Sequence, residues 1–173
     1  MKFKNMFSPI QIGPMTVKNR FVVPPMGNNF ANSDGTWSDE SVAYYGERAK
    51  GQFGLITIEA TVVHKGAKGG PKKPCLYDDN SIESLKKITD ACHEEGAKVS
   101  IQLQNAGPEG NAKNAGAPIQ AATAIASADG RDIPEEVSTE KVYELVKGYG
   151  EAAERAMKNM KERTEKEIEL RDY

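Results

Sequence analysis

Phe53-Gly54-Leu55-Ile56-Thr57-Ile58-Glu59-Ala60 decides the fold. The stretch is apolar on both faces for most of its length, the pattern of a strand covered by helices on both sides. Upstream, Phe21-Val22-Val23 reads as another strand. It is closed by Pro24-Pro25-Met26-Gly27, because prolines cannot donate to a ladder. Downstream, Lys98-Val99-Ser100-Ile101-Gln102-Leu103-Gln104 alternates between Gly96 and Gly107-Pro108 and reads as a third strand. Helical patterns separate and follow these strands. Ser38 caps a helix with Asp39 and Glu40 in its first turn and Val42, Tyr45 and Ala49 on one face, and Gly51 ends it in a left-handed conformation. The next begins near Asn80 or Ser81, sets Ile82, Leu85, Ile88 and Cys92 on one side, and stops at Gly96. The last starts at Ser138 and places Val142, Leu145, Val146, Tyr149, Ala153, Ala156 and Met160 along one stripe. Strand and helix in alternation specify an α/β fold with a parallel sheet and right-handed crossovers. Ahead of this unit, Pro9 to Lys18 reads as a small hairpin around Gly13-Pro14.

The composition fits one such domain. The chain has 173 residues, 38% of them hydrophobic, and its 16 glycines bring the total near the globular average. Its 23 basic and 25 acidic residues leave a formal net charge of -2, which argues against a nucleic-acid or membrane-surface binder. Two cysteines, Cys75 and Cys92, cannot build a disulfide framework, a four-cysteine zinc site or an iron–sulfur cluster. No apolar run approaches the ~20 residues of a membrane span, and the opening Met1 to Pro9 is too polar for a signal peptide. A cytoplasmic location is the expectation. Residues 1–160 form the predicted domain, and 161–173 a charged tail, helical or disordered, with nine charged residues in thirteen.

The strand ends carry a likeness. Phe7-Ser8-Pro9-Ile10-Gln11-Ile12-Gly13 with Lys18-Asn19-Arg20, then Pro25-Met26-Gly27, resembles the start of the old yellow enzyme family. The resemblance continues at Glu59-Ala60-Thr61, at Ile101-Gln102-Leu103 with Ala106-Gly107, and at Ala121-Ala122-Thr123-Ala124-Ile125. It runs from about Phe7 to Asn159 and is nearest the bacterial NADH:flavin oxidoreductase branch of dienoyl-CoA reductases, enoate reductases and bile-acid enzymes.

The resemblance implies a partial TIM (β/α)8 barrel: about three β/α units behind an N-terminal hairpin, with FMN at the carboxyl ends of the strands, where barrel chemistry lives. It implies an FMN-dependent NAD(P)H oxidoreductase of the alkene or enoate reductase type, acting on an activated alkene or enoyl-CoA-like substrate. Pro25, Met26 and Gly27 would set main-chain groups against the flavin, small Ala60 would let the ring approach, and the Gln102 amide would meet its pyrimidine edge. Many relatives carry Thr or Cys where this chain has Gly27, and an arginine where it has Pro108. The resemblance assigns no catalytic residue here. The family's His-x-x-His or His-x-x-Asn pair, its proton-donating tyrosine and its phosphate-holding arginines follow later strands, and after Asn159 it would turn into a fourth strand where Met160 and the charged tail stand. The expected behaviour of the chain alone is weak flavin binding and no alkene turnover. The alternative is a non-catalytic barrel fragment, unstable alone or acting as an interaction module that self-associates through open sheet edges.

The remaining chemistry-bearing residues read blandly. His64 is expected to be a solvated loop histidine, His93 a C-terminal helix residue, Cys92 a core residue and Cys75 an ordinary loop thiol. Gly66-Ala67-Lys68-Gly69-Gly70 lacks the ending of a phosphate-binding loop and is expected to be flexible. Tyr44, Tyr45, Tyr143 and Tyr149 are expected to pack, and no metal site is predicted.

Overall fold

The computed structural model describes residues 3–128 and 132–169, with side chains described through residue 158. Strands β1 (Ile10–Ile12) and β2 (Met15–Val17) pair antiparallel around Gly13, whose φ of 57° meets the left-handed demand of the turn. The central sheet has β3 (Val22–Val23), β4 (Leu55–Val62) and β5 (Lys98–Gln104) in the order β3-β4-β5, all parallel. Helix α1 (Asp39–Lys50) connects the first pair and α2 (Ile82–Glu94) the second. After β5 the chain runs through α3 (Ala112–Ala115) and a small parallel ladder of β6 (Gln120–Ala121) with β7 (Glu135–Glu136). It then enters α4 (Thr139–Glu169). The sheet is open, not a closed barrel: among the described residues β3 and β5 each pair on one side.

The sheet has two unlike faces. Val23, Ile56, Ile58 and Val99 join Tyr45 and Ala49 of α1, Leu85, Ile88 and Cys92 of α2, and Ala152 and Ala156 of α4 in one core. On the other face Val22 lies beside Leu55 and is half exposed, and Thr57 bonds Ser100 at 2.9 Å, oxygen to oxygen. Helix α4 is pinned by its middle, residues 148–156. Arg155 donates to Asp79 at 2.8 Å and to the Leu76 carbonyl at 3.3 Å, and a Cβ at Gly148 would stand 3.2 Å from the Val63 carbonyl.

Several expectations are corrected by this packing. The first strand is shorter than the apolar run: Val22 and Val23 form it, and the Phe21 ring packs edgewise against Phe7 and Phe53 at 5.2 and 6.4 Å between centroids. Gly51 keeps φ at -65°, and the left-handed residue is Gln52 at 68°, held there by the Asn19 amide on its carbonyl at 2.7 Å. The stripe of α4 is only partly used: Ala156 is buried and Leu145 and Ala153 are half buried, but Val142, Val146 and Tyr149 stay exposed, and Ala152, outside the stripe, is buried instead. Gly66, Ala67 and Lys68 are buried in and after a 3-10 turn, with the Lys68 ammonium on the Ser33 carbonyl at 3.0 Å, so this glycine-rich stretch is packed. Cys75 lies in a loop, as read from the sequence, but it is buried. It is 3% exposed among Val62 and Ala67. Cys92 sits in the core, where burial pushes its thiol up to about 12. Met160 and the tail side chains lie outside the described side chains.

Candidate functional site at the strand ends

The carboxyl ends of β3, β4 and β5 lie in one row because the strands are parallel and adjacent. This brings the sequence-predicted residues to one edge. Pro25, Met26 and Gly27 follow β3; Pro25 is half buried, while Met26 and Gly27 are exposed. Ala60 stands two residues from the end of β4, and Gln102 the same distance from the end of β5. The ladder pairs Ile58 with Ile101 and then Thr61 with Leu103, so Glu59 and Ala60 together oppose Gln102. That bulge re-aims the end of β4, as such insertions do near functional sites. Gln102 is exposed on the face of Thr57 and Ser100, and does not point into the core.

Two residues that the sequence reading did not single out complete the row. Glu59 is wholly buried, and its Oε2 accepts from the Asn28 N–H at 3.3 Å and faces the Lys73 ammonium at 3.8 Å. Its own N–H donates to the buried Tyr45 hydroxyl at 2.9 Å, tying the strand end to α1. Glu59 Oε1 and Asn28 Nδ2 are buried without a hydrogen-bond partner. A carboxylate interrupting an otherwise apolar strand was the available signal for Glu59. Lys73 gave none, since its place depends on the fold.

Burial pushes the Glu59 carboxyl above the ordinary glutamate range, against the pull of the Asn28 N–H and of Lys73. The native chain therefore holds this proton more tightly than the unfolded chain. Its contribution to stability is most favourable below the unfolded value near 4.5 and declines as pH rises through the folded value. Glu59→Gln, which cannot ionise, is expected to gain stability relative to the parent as pH rises through that window. Urea denaturation of both proteins from acidic to neutral pH checks this; a stability difference that does not vary with pH contradicts it.

The other candidates lie elsewhere. His64 is half buried, its Nδ1 accepts from the Gly66 N–H at 3.2 Å, and burial with the nearby Lys141 ammonium lowers its pKa. It lines a shallow cleft of about 350 Å³ against Glu144, Lys147 and Glu151 of α4. Tyr45 packs in the core as expected, and Tyr44 meets it edge to face at 5.0 Å between centroids, whereas Tyr143 is 70% exposed. Among the described residues no three His, Cys, Asp or Glu converge on a possible metal, and no helix is long and apolar enough to cross a membrane.

Comparison with known proteins decides the ancestry. Residues 5–161 match the NADH:flavin oxidoreductase / NADH oxidase family. The chain belongs to that family. An NADPH dehydrogenase from Bacillus subtilis is 36% identical over 154 residues, covering 88% of this chain and 45% of the relative. The chain thus spans less than half the length of that family member. Among solved structures, the old yellow enzyme of Trypanosoma cruzi superimposes with a TM-score of 0.82 at 29% identity, over 92% of this chain and 49% of that one. A 2-naphthoyl-CoA reductase gives 0.85 at 28% identity, over 91% and 26%. For this oxidoreductase family FMN and NAD(P)H are the implied cofactors. The residues present fit the ring of such a group: an exposed amide on Gln102, a small Ala60 beside it, and unmatched polar atoms on Glu59 and Asn28.

Proposed function

We propose that this chain supplies the first three strand-end segments of an FMN-dependent NAD(P)H oxidoreductase of the alkene-reductase type. One observation carries the reading: the bulge that sets Glu59 and Ala60 together against Gln102, next to the Gly27 segment. When bound, FMN supplies hydride transfer from a nicotinamide to an activated alkene, chemistry that belongs to the cofactor. This chain's residues bind and orient. The Gln102 amide, donor and acceptor at once, matches an edge that alternates carbonyl and N–H groups. Ala60 admits a flat ring where a larger side chain would stand in its way. Pro25, set between the β3 end and Gly27, stiffens the main chain that faces the ring. An enoyl-CoA-like substrate is favoured by the likeness to the CoA-thioester reductase. In this proposal residues 1–160 are the flavin-facing domain, 161–173 a separate charged tail, and the location cytoplasmic.

The test is size-exclusion chromatography of the purified chain after incubation with FMN, followed by titration of the visible flavin spectrum. Weak binding is expected, seen as a saturable spectral change in the titration with little flavin carried under the protein peak, and the spectrum of free FMN at every protein concentration would refute the reading. The open edges of β3 and β5 favour a second reading, a fragment that associates through its sheet. Its signature is flavin-free protein eluting as an oligomer.

A further inference from the structure

Gly27 is exposed, and what a side chain there would meet is the tip of another residue. The φ of Gly27 is not among the positive ones, so an ordinary residue meets no backbone strain there. A Cβ at this position would instead lie 2.7 Å from the Lys73 ammonium and 3.8 Å from Glu59 Oε2. The ammonium stands where a side chain of residue 27 would begin. The segment that follows Lys73 is anchored: the Val62 N–H donates to the Pro74 carbonyl, the Leu76 N–H to the Val62 carbonyl and the Cys75 N–H to the Gly35 carbonyl, each at 2.8 Å.

The ammonium is too far from Glu59 for a hydrogen bond, and its side chain is 23% exposed. Around it lie the buried, unpartnered Oε1 of Glu59 and Nδ2 of Asn28. A cation, a spare acceptor and a spare donor therefore meet at the edge where Ala60 and Gln102 lie. Buried polar atoms are rarely left unmatched, so these two mark the strand-end edge as a place where polar groups await partners.

We infer that Lys73 is a flavin-directed residue, presenting its donors over Gly27 to the carbonyl-bearing ring that the Pro25–Gly27 segment faces. The inference rests on the flavin reading above and adds the group that sets the charge beside the ring. A fixed cation there favours the more electron-rich, reduced form of the cofactor, since charge near the ring tunes its electronics.

The experiment titrates FMN into the parent chain and into Lys73→Met, Lys73→Arg and Gly27→Ala, and measures the reduction potential of the bound flavin by dye equilibration. Lys73→Met is expected to bind roughly ten- to a hundredfold more weakly, the scale of one charged hydrogen bond, with the potential moved negative. Lys73→Arg keeps both properties near the parent's. Gly27→Ala, by displacing the ammonium, reproduces Lys73→Met, and adds nothing when combined with it. Parent-like affinity and potential in folded Lys73→Met overturn the inference and leave the flavin reading standing. A parent chain that binds no FMN overturns that reading, and this inference with it. If Lys73→Met fails to fold because Glu59 loses its counter-charge, Glu59→Gln/Lys73→Met removes both charges. Its affinity and potential, set against those of Glu59→Gln alone, then decide by the same criteria.

Discussion

Gly35→Ala is expected to destabilise the chain by about 2–5 kcal/mol, the combined scale of a strained backbone and an overpacked core. Gly35 has φ at 93°, a conformation that side chains rarely adopt. An added Cβ would also come within 2.7 Å of Cys75 Sγ and 2.8 Å of its Cβ. Neither neighbour can retreat cheaply. The Gly35 carbonyl accepts from the Cys75 N–H at 2.8 Å and from the Ser81 hydroxyl at 3.3 Å, so it ties the segment after β4 to the start of α2. The measurement is the urea midpoint of parent and variant, by far-UV circular dichroism. An unchanged midpoint contradicts the account. Adding Cys75→Gly should restore the steric part of the loss and leave the conformational part.

Ile58→Ala is expected to cost about 2–5 kcal/mol, the range for truncating a large buried aliphatic side chain. Ile58 is fully buried in the core shared by α1, α2 and the sheet. It is also the last regularly paired residue of β4 before the bulge. A cavity there has two consequences: the transition moves to lower urea, and Glu59 and Ala60 lose the floor that sets their register against Gln102. Flavin titration of the variant at a temperature where it remains folded should therefore show weaker binding. A loss below about 1 kcal/mol would mean that the site collapses around the smaller side chain.

The sequence disclosed the parallel sheet because β4 and β5 are long apolar or alternating runs bounded by glycine, and the hairpin because Gly13 demands a left-handed turn. The helix faces were legible where burial is complete, as at Leu85, Ile88 and Cys92. Reading failed where the deciding contact comes from far along the chain. Gln52 takes the left-handed turn because Asn19 holds its carbonyl, and Gly54 must be small because a Cβ would lie 2.7 Å from the Asn19 carbonyl. Nothing local announces either. The glycine-rich 66–70 stretch looked loose because its burial depends on Ser33 and Pro118. At the candidate site, the motif likeness pointed to Pro25, Met26, Gly27, Ala60 and Gln102. The charged pair behind them became visible only when Lys73 was seen above Gly27.

The order β3-β4-β5 means that each strand finds its neighbour in the strand just synthesised. Two crossovers of modest length complete the three strands, and among the described residues no later strand inserts between earlier ones. Such an arrangement suits assembly in step with translation, where amino-terminal structure forms first. During that interval the edge of β5 is the growing front, ready to accept the next strand or any stray one. Ser100, Gln102 and Gln104 make the sheet face beside that edge polar.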